Sequence, residues 1–155
     1  YAGVRPAVNV GLSVSRVGGK AQTKAMRQVA LQLRINLAQY RELAAFTQFG
    51  AELDPEAKKQ ITRGERMVEL LKQKQYEPMS LAKQVIAIYA GTSGFLDDLK
   101  TENIQNFLNK FFTYLDAQAP DIEYEIENKK ELTPELEQKL QLALNSFYVT
   151  YSKAV

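Results

Sequence analysis

The chain has 155 residues, 45% of them hydrophobic and 25% charged, which suits one modest core and is too little for two independent ones. Twenty Lys plus Arg against eighteen Asp plus Glu leave a net charge of +2, too small for a phosphate-tracking surface, so no nucleic-acid partner is expected. With no Cys and no His, disulfide frameworks, thiolate nucleophiles, imidazole bases and nearly all zinc chemistry are excluded.

Residues 4–17 differ from everything after them. Val8, Val10, Leu12 and Val14 recur every second residue, which is strand periodicity, and Arg5-Pro6 favours an extended start. Gly18-Gly19 ends the stretch. One strand cannot pair its own backbone, so its sheet is expected to lie outside these 155 residues. The sequence also opens on Tyr1 rather than Met, and a fragment of something larger is the expectation.

Helical spacing takes over from residue 21. Met26, Val29, Leu33, Leu37, Tyr40 and Ala44 form one stripe of a long helix. Asp54-Pro55-Glu56 is a helix start: Asp54 can cap free amides, Pro55 fits the first turn and Glu56 complements the dipole. Ala57, Ile61, Gly64, Val68 and Leu71 are its expected inner face, and it should stop before Pro78. Ser80 caps a shorter helix carrying Leu81, Val85, Ile88 and Tyr89, which Gly91 is expected to end in a left-handed conformation. Thr101 and Glu102 open the next, with Ile104, Phe107, Leu108, Phe111, Phe112 and Leu115 inward and Pro120 beyond its end. Ile122, Tyr124 and Ile126 fit either a strand or a helix. Thr133-Pro134-Glu135 starts a last helix carrying Leu136, Leu140, Ala143, Leu144, Phe147 and Tyr151. The fold class is therefore mainly α: a strand remnant over residues 1–20, then a bundle of about five helices over 21–155. No run approaches the roughly 20 apolar residues that span a bilayer, so no direct membrane insertion is expected.

Chemistry is sparse in these patterns. Gly19-Lys20 fails as a phosphate loop, because Val14 stands where the first glycine is required and Ala21 where the hydroxyl is. Asp97-Asp98 reads as a solvated loop end, Phe107, Phe111 and Phe112 as core, and Lys72 with Lys74 and Lys129 with Lys130 as solvated faces. Arg16 stands out, at the end of the alternating strand, where open sheets meet ligands. Its guanidinium is permanently charged and matched to phosphate oxygens, although a surface ion pair is the plainer reading.

The run Val4-Arg5-Pro6-Ala7-Val8-Asn9-Val10-Gly11-Leu12-Ser13-Val14-Ser15-Arg16-Val17-Gly18 closely resembles the end of the nucleotide-binding domain in alpha subunits of rotary, F-type ATP synthases. The likeness continues through Leu37-Ala38-Gln39-Tyr40-Arg41-Glu42-Leu43-Ala44-Ala45-Phe46, Gln48-Phe49-Gly50 and Glu69-Leu70-Leu71-Lys72-Gln73-Lys74-Gln75-Tyr76. It reaches Ile88-Tyr89-Ala90-Gly91 and Gly94-Phe95-Leu96-Asp97-Asp98, covering about two thirds of the sequence. Beyond Leu99 only the helical pattern agrees, and Gly19-Lys20 departs from the small pair expected there.

The resemblance implies an alpha subunit alternating with beta subunits in a hexameric ring around a rotating gamma shaft, making ATP from ADP and phosphate with a proton gradient. It implies that Arg16 is an arginine finger acting in trans on nucleotide held by the beta subunit. It also implies a non-catalytic nucleotide site to which Arg5, Pro6, Gln73 and Gln75 contribute; helix-end polarity is the plainer reading of the two glutamines. Mg-ATP or Mg-ADP belongs to the full complex, with none expected in the fragment, no metal ligand here and no activity of the piece alone. The complex would sit peripherally on the cytoplasmic face of a bacterial plasma membrane or the equivalent organelle membrane. Phe46, Phe49, Glu52 and Asp54 fall where a shaft-facing surface would occur, with internal packing of the two phenylalanines as the alternative. The rivals are a stand-alone helical interaction module and a weak nucleic-acid binder.

Overall fold

The computed structural model describes residues 23–47, 52–72 and 79–154. The strand expected over residues 4–17 lies outside them. Among the described residues there are six α-helices and a short 3₁₀ turn: α1 Lys24–Thr47, α2 Pro55–Leu70, α3 Leu81–Thr92, the turn Thr101–Asn103, α4 Ile104–Gln118, α5 Pro120–Lys129 and α6 Pro134–Ala154. The bundle is thus one helix richer than expected. The ambiguous segment is α5, where Ile122 and Ile126 are buried one turn apart while Tyr124 is exposed.

Four of the six described helices start on a side-chain cap, whereas α4 and α5 have none. Thr23 Oγ1 accepts the amide of Met26 at 3.2 Å, Asp54 Oδ1 that of Ala57 at 2.7 Å, and Ser80 Oγ that of Lys83 at 3.2 Å. Thr133 Oγ1 accepts the amide of Leu136 at 3.2 Å. Pro55, Pro120 and Pro134 all occupy a first helical turn, where the missing amide hydrogen is no loss.

The core is continuous. α4 buries Ile104, Phe107, Leu108, Phe111, Phe112 and Leu115, the six residues its spacing selects. Phe107 packs edge-on to Phe147 and Tyr151 of α6, with ring centroids 5.2 and 5.1 Å apart, geometry that favours aromatic pairs beyond simple area burial. α3 lies at the centre: Ala82 and Val85 to Gly91 are all buried, and it touches α1, α2 and α5. The Tyr89 hydroxyl donates to Glu137 Oε1 at 3.1 Å and accepts from Gln141 Nε2 at 2.8 Å, tying α3 to α6. Burial pushes that phenol above its ordinary range, although the hydrogen bond from Gln141 opposes the shift.

Two expectations are corrected by close packing. In α2 the buried residues are Gly64, Met67 and Leu70, while Ala57, Ile61, Val68 and Leu71 are only half-buried. The expected face holds at Gly64, which lies against Tyr40 of α1 with no room for a β-carbon, and Val68 and Leu71 pack partly buried against the core, but Met67 and Leu70 are the deeply buried side chains. Gly91 does not end α3; it is a helical residue pressed against Met67, and the left-handed glycine is Gly94, with φ of 87°. The turn after α3 is then held to α2 by Arg63, whose Nη2 lies 2.9 Å from Asp97 Oδ2, and by Arg66, whose Nε donates to Leu99 O at 3.0 Å.

Candidate functional site

Arg5, Pro6, Arg16, Gln73 and Gln75 all lie outside the described residues, so the structure neither assembles nor separates them. It does describe what flanks the pair of glutamines on either side. α2 ends with Leu70 buried, the Leu71 amide bonded to Met67 O at 3.1 Å and the Lys72 amide bonded to Glu69 O at 3.1 Å. Glu69 Oε2 and Lys72 Nζ form an ion pair of 3.2 Å, and Gln105 Nε2 from α4 donates to the same Glu69 carbonyl at 3.1 Å. A helix end leaves carbonyls without intrahelical partners, and these contacts satisfy one of them.

The other flank is more acidic. At the start of α3, Gln84 Nε2 donates to Met79 O at 2.9 Å and the Ala82 amide donates to Glu127 Oε1 of α5 at 2.9 Å. The Ser80 hydroxyl reaches Glu123 Oε1 at 3.5 Å, a long contact. Two carboxylates from α5 thus face the positive end of the α3 dipole, a favourable placement. Glu123 is pushed above the usual carboxylate range, first by burial and then by Asp116 at the end of α4, with Lys83 opposing the shift.

The other residues singled out from the sequence fall as follows. Asp97 is a partly buried partner of Arg63 rather than a solvated loop end, whereas Asp98 is exposed. Phe107, Phe111 and Phe112 are core. Phe46 is 56% exposed, so its internal packing is not realised, and Phe49 is outside the described residues. Glu52 is exposed and Asp54 is spent on capping α2. Among the described residues no three Asp or Glu cluster so as to hold a metal ion, and no helix is long and apolar enough to cross a membrane.

Gln105 and Glu127 do not stand out in the sequence as functional candidates. They act on backbone 36 and 45 residues away, respectively, and no local pattern encodes a contact of that span. The sequence signal is only that both are polar residues on otherwise amphipathic helices.

A family model for the ATP synthase alpha/beta chain, C terminal domain, matches residues 22–147. The protein is 58% identical over 147 residues to ATP synthase subunit alpha of Desulforudis audaxviator, covering 95% of its own length and 29% of that relative. It is 57% identical over 145 residues to the subunit alpha of Aquifex aeolicus, covering 94% of its own length and 29% of the relative. It is 53% identical over 153 residues to that of Helicobacter acinonychis, covering 99% and 30%. The sequence therefore spans less than a third of the length of these relatives.

Proposed function

Because the protein belongs to the family of C-terminal domains of ATP synthase alpha and beta subunits, we propose that it is the C-terminal part of an alpha subunit of a rotary ATP synthase. What supports this is the identity of 53% to 58% with three proteins named ATP synthase subunit alpha, along nearly the whole sequence. Residues 1–20 are then the end of a nucleotide-binding domain and residues 21–155 the helical domain that follows it.

In the assembled complex the alpha subunit alternates with beta subunits around the gamma shaft, and the ring makes ATP from ADP and phosphate at the expense of a proton gradient. Arg16 acts across the interface on Mg-nucleotide held by a beta subunit. Charge builds on the transferring phosphoryl group, and an arginine supplied in trans stabilises it by on the order of 10³ to 10⁵ in rate. Arg5, Pro6, Gln73 and Gln75 contribute to a second nucleotide site that binds without turnover. A glutamine amide offers both a donor and an acceptor to a purine edge. The helical domain supports the ring beside the shaft, and the complex stands peripherally on its membrane.

The test is Arg16→Ala in the full-length subunit of the reconstituted complex. Multisite ATP turnover should collapse by about 10³-fold or more while nucleotide binding stays close to normal. Near-normal turnover rejects the finger role.

A further inference from the structure

α6 packs on α4 and α5 through one face, on which Leu136, Leu140, Leu144, Phe147 and Tyr151 are buried. The opposite face carries Leu142 and Val149, 61% and 53% exposed. Seven residues separate them, which sets them two turns apart on one line along the helix. Beside that line lie Asn145, Ser146 and Thr150, all exposed. Residues 140–152 contain no charged side chain. The hydroxyls here are already engaged on their own helix: Thr150 Oγ1 donates to Ser146 O at 3.3 Å and Ser152 Oγ to Val149 O at 3.1 Å. The outer face of a helix ordinarily carries charge, and its depletion around exposed aliphatic side chains is the mark of an interface core.

The two ends of this face differ in sign. At the start of α6 Glu135 is exposed, and α5 adds Asp121 and Glu125, which share Lys139 at 3.4 and 3.6 Å. Negative charge is in excess there. At the other end Lys153 is exposed, and Lys110 of α4 brings its Nζ to 5.8 Å from the centre of the Tyr151 ring.

A second copy of the same face, laid antiparallel, matches this pattern. Leu142 then stands opposite Val149 of the other copy, and Val149 opposite the other Leu142. Asn145 and Ser146 meet at the two-fold axis, and the acidic end faces the basic end twice. A parallel pairing sets carboxylates on carboxylates and lysines on lysines, which opposes it.

We propose that the outer face of α6 is a self-association surface, pairing with α6 of a second copy of this chain in an antiparallel, two-fold symmetric contact centred on Leu142 and Val149. The apolar contact is small, so the pairing is weak, with a dissociation constant on the order of 10⁻⁴ M. In the proposed ring alpha subunits alternate with beta, so the second copy belongs to a different ring.

The experiment is sedimentation equilibrium of the 155-residue protein up to about 1 mM, where the average mass should rise from monomer towards dimer. Leu142→Glu and Val149→Lys should each weaken association by about tenfold or more, since symmetry places every substitution in the contact twice. An equimolar mixture of the two variants should return to within about threefold of the parent, because the new carboxylate meets the new ammonium while the other pair stays apolar. Only antiparallel pairing predicts that recovery. A mass independent of concentration overturns the proposal, as does association that neither substitution weakens, or a mixture as weak as the single variants. Should either variant fail to fold, Ser146→Cys decides. The chain has no cysteine of its own, and under mild oxidation this variant should form a covalent dimer faster than Lys59→Cys, at an exposed position on α2; equal rates overturn the proposal.

Discussion

The side-chain amide of Gln28 pairs with the backbone of Leu132 on both of its edges: Nε2 donates to Leu132 O at 3.3 Å and Oε1 accepts from Leu132 N–H at 3.1 Å. It imitates one rung of a sheet ladder between the first turns of α1 and the turn that joins α5 to α6. Beside it the Ala25 amide donates to Lys130 O at 2.9 Å, and Lys24 pairs with Glu131 at 2.7 Å. Gln28→Leu keeps the bulk and removes both hydrogen bonds. It should lower stability by about 1–3 kcal/mol, read as a shift in the urea midpoint of the protein with unchanged slope. Lys24→Ala should cost far less, since the ion pair is largely in water.

The two close-packed glycines should respond differently to the same change. At Gly64 an added methyl meets the Cβ and Cγ atoms of Tyr40, which are anchored to the α1 backbone and cannot turn aside. At Gly91 it meets the Met67 sulfur, part of a flexible thioether arm. Gly64→Ala is therefore expected to destabilise by about 2–3 kcal/mol and Gly91→Ala by about 1 kcal/mol, after the gain from replacing a helical glycine. Equal midpoints for the two variants in urea unfolding would count against the packing account of α1 on α2.

Glu123 gives the protein a pH dependence with a definite sign. Its carboxyl is raised above the ordinary range by burial and by Asp116, so the folded state holds its proton more tightly than the unfolded state does. Its contribution is fully present below the unfolded carboxylate pKa and is lost as pH rises through the higher, folded value. Glu123→Gln removes the titration. The variant should gain stability relative to the parent at pH 8 and lose that gain at pH 4, measured as the difference in urea midpoints; a difference independent of pH would refute it.

Much of this architecture is legible in the sequence where apolar spacing is dense. The inward set of α4 follows directly from its spacing, since Phe and Leu at three- and four-residue intervals leave one face to bury. α2 is harder, because Gly64 and the half-buried residues around it carry little apolar contrast, so the spacing finds Gly64 but not Met67 and Leu70 as the deeply buried side chains. Ile122, Tyr124 and Ile126 satisfy two periodicities at once over so short a run; burial of the two isoleucines together decides it. Gly91 resembles a helix stop because glycine serves both as a left-handed cap and as a point of close approach, and sequence does not tell the two apart. The starts of α2 and α3 are local enough to read, marked by Asp54 and Ser80, and those ends differ from the α2 C-terminus at Glu69 that Gln105 reaches. The side chains from α4 and α5 that bond the end of α2 and the start of α3 are not legible, because a single polar residue on an amphipathic helix does not name its distant backbone partner.

Nearly every side of α3 is occupied: its neighbours come from both the first and the second half of the sequence, and eight of its twelve residues are buried. Such a rod has no outer surface on which sequence drift is harmless. Its buried residues answer together to α1 and α2 and to α5, so an alteration suited to one neighbour can disturb a different one. Melting should accordingly be a single event, in which neither half survives as a stable remnant once its shared axle is gone.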